Sequence, residues 1–343
     1  MRLQEGEYTM NKKLRYGILG CAGIAIKDVM PAIQKSEYGV LAAVASRDLE
    51  KSRSVAEQFG ITTAYGSYEE LIEDATIEAV YIPLPNHLHK EWAIRAMRAG
   101  KHVLCEKPIA LTSEEAKEMA AVAKQEGVVL AEAFMYRHHP RWKRIREIIE
   151  SGELGELRLI RGAFTYNNAE DLDNIRLRPE WGGGALYDVG CYPISAARFI
   201  LGQEPEAITV HAQFSDKHFG VDMMAAGILE FAGGLALTFD CGMWTEHRQL
   251  LEIVGSEGRI DIPHAFTVGD DEDASYTVTV RGVSRIEGHE DKADPYTMEV
   301  DDLAKAVFGI QPKLFSPDDA VQGMRVLEAG LASARERRRI SFK

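Results

Sequence analysis

The sequence predicts an α/β chain in two halves, a parallel sheet covered by helices on both faces and then a strand-rich half. Two observations carry this. From Leu14 to about Glu132, short apolar runs alternate with amphipathic helical segments, and after Arg158, runs rich in β-branched and aromatic residues follow one another between turns. The length, 343 residues, exceeds the usual size of a single core and fits the division.

In the first half, strands are expected at Leu14 to Leu19, Val40 to Ala45, Ala79 to Ile82, His102 to Cys105 and Val128 to Ala131, with a short one near Thr62 to Ala64. Helices fill the gaps. The one from Thr112 to Glu126 opens on a capping sequence, Thr112-Ser113-Glu114-Glu115, and stops before Gly127. In the second half, strands are expected at Arg158 to Tyr166, Ala207 to Phe214, Ala225 to Phe231, Leu235 to Cys241, Gln249 to Val254 and Arg259 to Ile262. Gly233-Gly234 and the run Gly255 to Gly258 read as turns between neighbours, so this sheet is expected to be a meander. A late helix, Pro317 to about Arg337, places Val321, Met324, Leu327 and Leu331 at helical spacing, which we read as a packing face.

With 40 Lys plus Arg against 53 Asp plus Glu, the formal charge of −13 repels a phosphate backbone, which excludes nucleic acid as a partner. No apolar run approaches the roughly 20 residues of a membrane span, so no membrane partner is expected. The first ten residues lack the apolar core of a signal peptide, so we expect a cytoplasmic chain in which they are an extension or an upstream start before Met10. Cys21, Cys105, Cys191 and Cys241 never form CxxC, which argues against a structural zinc site or a disulfide framework. His87 and His89, two apart, are read as helix-start or pocket-edge residues, with a ligand pair as the alternative; no metal is expected.

Three stretches point to chemistry. The first turn, GILGCAGIA, carries Gly17, Gly20 and Gly23 after a strand and before a helix, the setting in which Gly20, Cys21, Ala22, Gly23 and Ile24 would meet a pyrophosphate. Ala22 and Ala25 stand where the GxGxxG pattern has glycines. The second strand then ends in Val44-Ala45-Ser46-Arg47-Asp48, with Ser46 26 residues after Gly20, where an NAD enzyme usually places a carboxylate. A hydroxyl and a guanidinium suit a 2′-phosphate, so NADP is expected over NAD. The rival reading leaves Arg47 facing water and makes Asp48 the cap of the next helix.

The second stretch, Glu106-Lys107-Pro108, puts a lysine at the carboxyl end of a strand, the edge where ligands lie in open α/β sheets. The turn holding Pro83, Asn86 and His87 follows another strand at the same edge and is expected on the nicotinamide side. The third, WGGGALYDVGCYPI, sets Asp188 and Tyr192 four apart, on one face of a helix, behind glycines that admit close approach. Pro193 implies a kink or helix start there. Lys107, Asp188 and Tyr192 are the catalytic candidates; the plainer alternative has Tyr192 packed in the core and Asp188 capping a turn.

Gly20 to Ala25, Pro83 to His89, Glu106-Lys107-Pro108, Glu132 to Arg137 and Gly182 to Tyr192 together resemble the glucose-fructose oxidoreductase and inositol dehydrogenase (Gfo/Idh/MocA) family, from about Leu14 to the end. The resemblance implies an N-terminal Rossmann dinucleotide-binding domain over residues 11–135 and a C-terminal α+β domain over 136–343, with the last helix free to pack back on the first domain. It implies an open, mostly antiparallel second sheet that often packs against another subunit, hence a homodimer or homotetramer. Many members have histidine where this chain has Tyr192, and the tyrosine form resembles the branch with xylose dehydrogenase and dimeric dihydrodiol dehydrogenase. The implied roles are proton exchange by Tyr192, a pKa-lowering and oxygen-holding role for Lys107, and a hydrogen bond from Asp188 to a neighbouring substrate hydroxyl. Glu106 would orient its loop, and Tyr136 and Arg137 would either reach substrate or pack the linker. The expected activity is NAD(P)-dependent hydride transfer on a polyhydroxylated small molecule: a sugar, keto-sugar or cyclic diol. The alternative is an NADP(H)-binding redox-sensing regulator without turnover.

Overall fold

The run Leu14–Leu19 forms β1, and every residue of it except Arg15 is buried, as a strand covered on both faces requires. The computed structural model describes residues 12–268, 274–288, 292–312 and 315–342; the expected extension and the alternative start at Met10 lie outside the described residues. β1 is joined by β2 (Gly39–Ala45), β3 (Thr63–Tyr65), β4 (Ala79–Ile82), β5 (His102–Glu106) and β6 (Leu130–Ala133) in the parallel order β3-β2-β1-β4-β5-β6. The order reverses between β1 and β4, and the carboxyl ends of those two strands flank the crevice where such sheets bind ligands.

The helix Ser113–Glu126 begins as expected, with the Thr112 hydroxyl accepting from the Glu115 N–H at 3.2 Å and Glu115 accepting from the Leu111 N–H at 3.0 Å. β6 begins two residues later than its expected start at Val128. Gly127 takes the left-handed conformation that ends the helix, and the Val128 N–H bonds back to the Ala123 carbonyl, so Val128 belongs to the cap.

In the second half, β7 (Leu157–Asn167), β8 (Ala207–Ser215), β9 (Val221–Glu230), β10 (Ala236–Gly242), β11 (Trp244–Gly255), β12 (Gly258–Pro263), β13 (Tyr276–Val280), β14 (Val283–Glu287) and β15 (Ile340–Ser341) make one open sheet. Its order, β14-β13-β12-β11-β7-β10-β9-β8-β15, corrects the expected meander. β7 inserts between β10 and β11, parallel to the first and antiparallel to the second. The Gly233-Gly234 hairpin is present between β9 and β10, with both glycines at positive φ.

One face of this sheet carries the helices Cys191–Leu201 and Pro317–Glu336. In the latter Val321, Met324 and Leu327 are buried and Leu331 is half-buried, the packing face read from the spacing. The same helix lies along Ser113–Glu126 of the first half, where Glu328 accepts from the Ser113 N–H at 2.9 Å. Among the described residues no helix is long and apolar enough to cross a membrane.

Candidate active site

Gly20 ends β1 at φ +123°, a conformation L side chains rarely adopt, and its N–H bonds to the Ala45 carbonyl at 2.9 Å. The chain then turns into a helix, and Ala22, Gly23 and Ile24 at its start line a cavity of about 630 Å³. Gly20, Cys21, Ser46 and Arg47 lie outside that cavity, at the ends of β1 and β2. Asp48 does cap the next helix, accepting from the Glu50 and Lys51 N–H groups, and its own N–H donates to the Ser46 hydroxyl at 3.2 Å. Arg47 is exposed beside the turn, with the Tyr68 hydroxyl as a neighbour of its guanidinium.

Pro83 and Asn86 line the same cavity. His87 does not: it stacks on Trp181 with ring centroids 4.9 Å apart, because the helix starting at Asn86 turns it toward the second half. His89 is buried with its ring nitrogens 2.7 Å from the Leu84 carbonyl and 2.9 Å from that of Pro108, and burial pushes its pKa down to about 4. Neither histidine belongs to a metal cluster; among the described residues no group of three or more His, Cys, Asp or Glu is placed to hold an ion.

β5 delivers Glu106 and Lys107 into the cavity. Glu106 accepts from the Tyr81 hydroxyl at 2.6 Å and from the Lys107 N–H at 3.3 Å, which ties its carboxylate to β4 and to its own loop. The Lys107 ammonium donates to the Asp188 backbone carbonyl at 2.8 Å, stands 3.6 Å from the Asp188 carboxylate and lies 4.8 Å from the centre of the Tyr192 ring. Burial draws the Lys107 pKa down, but Asp188, Cys191 and Glu106 outweigh it, so the net shift is upward and the group stays an ammonium. For Asp188 burial pushes upward, and Arg176 and then Lys107 reverse it, holding the carboxyl well below the usual range.

The helix carrying Asp188 and Tyr192 begins with a wide turn over Leu186–Gly190 and becomes regular at Cys191, with Pro193 in its first turn. Both side chains line the cavity. Two expectations change here. Asp188 is already engaged, Oδ2 accepting from the Tyr166 hydroxyl at 2.6 Å and Oδ1 from Arg176 Nε at 2.8 Å, so it anchors protein cations rather than presenting a free carboxylate. The Tyr192 pKa goes up, not down: burial dominates, and Cys191, Glu106 and Asp188 add to it. Tyr192 packs against Phe164, Phe134, Phe266 and Tyr136 at centroid distances of 5.1, 5.5, 5.5 and 6.0 Å, and Lys107 covers its ring face. Among the described residues nothing hydrogen-bonds its hydroxyl. A neutral phenol is therefore available to give a proton.

The glycines before Asp188 serve the close approach expected of them. A Cβ at Gly183 would strike the carbonyl oxygens of Arg176 and Arg178, and one at Gly184 the Asp222 carboxylate. The Gly182 carbonyl accepts from the Asn86 side chain at 3.1 Å, tying this segment to the first half.

Tyr136 and Arg137 pack the junction: the Tyr136 hydroxyl is 2.6 Å from the Ser195 hydroxyl, and Arg137 donates to Ser195 and pairs with Asp319. Trp181, the first residue of the third stretch, lines the cavity, and so do Arg176, Tyr166 and Tyr296, which no sequence motif marks. Alternation along β7 puts Phe164 and Tyr166 on one face and could have flagged the latter. Arg176 sits in a short 3₁₀ turn, Ile175–Leu177, that leaves no periodic signal.

Residues 14–134 match the model described as "Oxidoreductase family, NAD-binding Rossmann fold", and residues 142–261 match the GFO/IDH/MocA C-terminal domain. A D-xylose 1-dehydrogenase (NADP(+)) from Haloferax volcanii is 38% identical over 322 residues, covering 94% of this chain and 97% of that one. A trans-1,2-dihydrobenzene-1,2-diol dehydrogenase from Mus musculus is 35% identical over 255 residues, covering 73% and 74%. The crystal structure of a 3-ketoreductase from Actinomadura kijaniata in complex with NADP and TDP-benzene superposes with a TM-score of 0.88 at 30% identity, covering 94% of this chain and 98% of that one.

Proposed function

The chain belongs to the GFO/IDH/MocA family of oxidoreductases, and from that premise we propose that it is an NADP(H)-dependent dehydrogenase or reductase acting on a carbinol or carbonyl carbon of a sugar, keto-sugar or cyclic diol. One observation carries the reading: Ala22 to Ile24, Pro83 and Asn86 from the first half share a single cavity with Lys107, Asp188 and Tyr192. The cradle for a dinucleotide fits, since Gly20 has the backbone only glycine takes readily and the turn feeds a helix amino terminus. Ser46 and Arg47, at the end of β2, offer a hydroxyl and a guanidinium suited to a 2′-phosphate, and the similar ketoreductase binds NADP. When bound, NADP(H) supplies or accepts the hydride.

In the reducing direction Tyr192 gives its proton to the substrate oxygen, and in the oxidising direction it takes one back. Lys107 holds that oxygen while its ammonium is steered by the Asp188 carbonyl and carboxylate. Phe134, Phe164 and Phe266 pack around the ring and hold the phenol in place. We further place a homodimer or homotetramer contact on the open face of the second sheet, where Phe214, Ile228 and Leu250 are exposed; sedimentation of the purified chain as a monomer would remove that part.

The function is tested by turnover of NADP⁺ and NAD⁺ with D-xylose, D-glucose and trans-cyclohexane-1,2-diol, and of NADPH with keto-sugars. The expected result is turnover with a lower Michaelis constant for NADP⁺. Cofactor binding without turnover across the panel would overturn the enzyme reading in favour of a regulator, and a marked NAD⁺ preference would overturn the role of Ser46 and Arg47.

A further inference from the structure

Arg176, like Lys107, is a cation of the cavity whose donors are only partly used. Its Nε is committed to Asp188 Oδ1 at 2.8 Å, and among the described residues neither Nη group has an acceptor. The residue lines the cavity together with Lys107, Tyr166 and Tyr192. Its backbone is pinned on both sides: the Asn174 side chain accepts from the Arg176 N–H at 3.0 Å, and the Arg176 carbonyl accepts from the Gly184 N–H at 3.0 Å. Gly183 has no side chain to keep that carbonyl away. The guanidinium is thus held at its Nε edge on a side chain that lines the cavity and is 43% exposed, with its Nη edge unpaired among the described residues, and a planar fork of this kind matches two neighbouring oxygens.

Charge narrows the oxygens it suits. Around the reacting position the ammonium of Lys107 and the guanidinium of Arg176 both pair with the Asp188 carboxylate, and the Glu106 carboxyl lies within the influence of both, so the cations are matched by anions already in the protein. Donors neutralised in this way favour uncharged hydroxyl oxygens over a phosphate, which would need cationic charge to spare.

Resting on the functional reading above, we propose that Arg176 is the specificity-determining residue of this site, its Nη pair binding the hydroxyl adjacent to the reacting carbon, so that the preferred substrates are neutral vicinal diols and their ketone counterparts. Asp188 then has a second task, holding Arg176 in register with Lys107. A purely structural role for Arg176, confined to steadying Asp188, would affect all substrates alike.

The test compares kcat/KM with NADP⁺ for two pairs differing by one hydroxyl: trans-cyclohexane-1,2-diol against cyclohexanol, and D-glucose against 2-deoxy-D-glucose. Wild type should prefer the hydroxyl-bearing member of whichever pair it turns over by roughly 10-fold or more. In Arg176→Gln that preference should fall roughly 10-fold, chiefly through a higher KM for the hydroxyl-bearing member, and Arg176→Lys should restore part of it. NADP⁺ affinity, read by quenching of protein fluorescence, checks that both variants are folded. An equal loss on both members of a pair, or a preference that survives in both variants, overturns the proposal and leaves the enzyme reading intact. A wild type inert toward all four compounds and the wider panel overturns the functional reading itself, and this inference with it.

Discussion

The two walls of the cavity are built on opposite terms. On the polar wall, Lys107, Asp188, Arg176 and Tyr166 engage one another through contacts of 2.6 to 3.6 Å, and every charge has a counter-charge. On the other wall, Tyr192 sits among Phe134, Phe164, Phe266 and Tyr136 with no hydrogen bond to its hydroxyl among the described residues. The difference separates two tasks. Paired charges in a buried place hold geometry without being available for proton transfer, because removing either partner strands the other. A lone phenol in apolar surroundings holds its proton firmly until a substrate oxygen arrives to take it.

Removing the central charge should break the polar wall most severely. Asp188→Asn leaves Lys107 and Arg176 without their shared anion, and unfolding by urea should show a loss of about 3 kcal/mol at neutral pH. Because the Asp188 pKa is depressed in the folded state, its contribution is present above the ordinary carboxylate range and declines as pH falls from there toward the depressed value. The gap between wild type and variant should therefore close in acid; a gap constant with pH would contradict the pairing.

Lys107→Ala removes the group that bridges the walls, and kcat should fall roughly 10²-fold or more while NADP⁺ affinity changes little. A parallel fall in cofactor affinity would move Lys107 from the substrate side to the cofactor side. The smallest effect belongs to the aromatic wall: Phe164→Leu keeps apolar volume but loses the ring contacts to Tyr192 and Phe266, and should cost about 1 kcal/mol in thermal unfolding. A larger loss would mean that the cage carries the fold as well as the chemistry.

How much of this was legible follows from how local each feature is. β1, β4 and β5 and the capped helix Ser113–Glu126 were readable because apolar runs, caps and turns lie within a few residues of one another. The order of the second sheet was not, since nothing within Leu157–Asn167 says that β7 will separate β10 from β11, strands about 80 residues further on. Lys107, Asp188 and Tyr192 stood out because each lies in a compact motif beside a glycine or proline. Arg176 sits in a turn without periodicity, and its importance appears only when Gly183 and Asp188 are brought against it. The direction of the Tyr192 pKa was misread for the same reason. The nearby Lys107 was visible, but Phe134, Phe164 and Phe266, which desolvate the phenol, come from three separated segments.

The division of labour between the walls is tested most directly by single-turnover hydride transfer in Tyr192→Phe, which preserves the ring packing and removes only the hydroxyl. With saturating NADPH and a ketone substrate, the account predicts oxidation of the nicotinamide roughly 10²-fold slower than in wild type, with NADPH affinity retained. Transfer at the wild-type rate would contradict it.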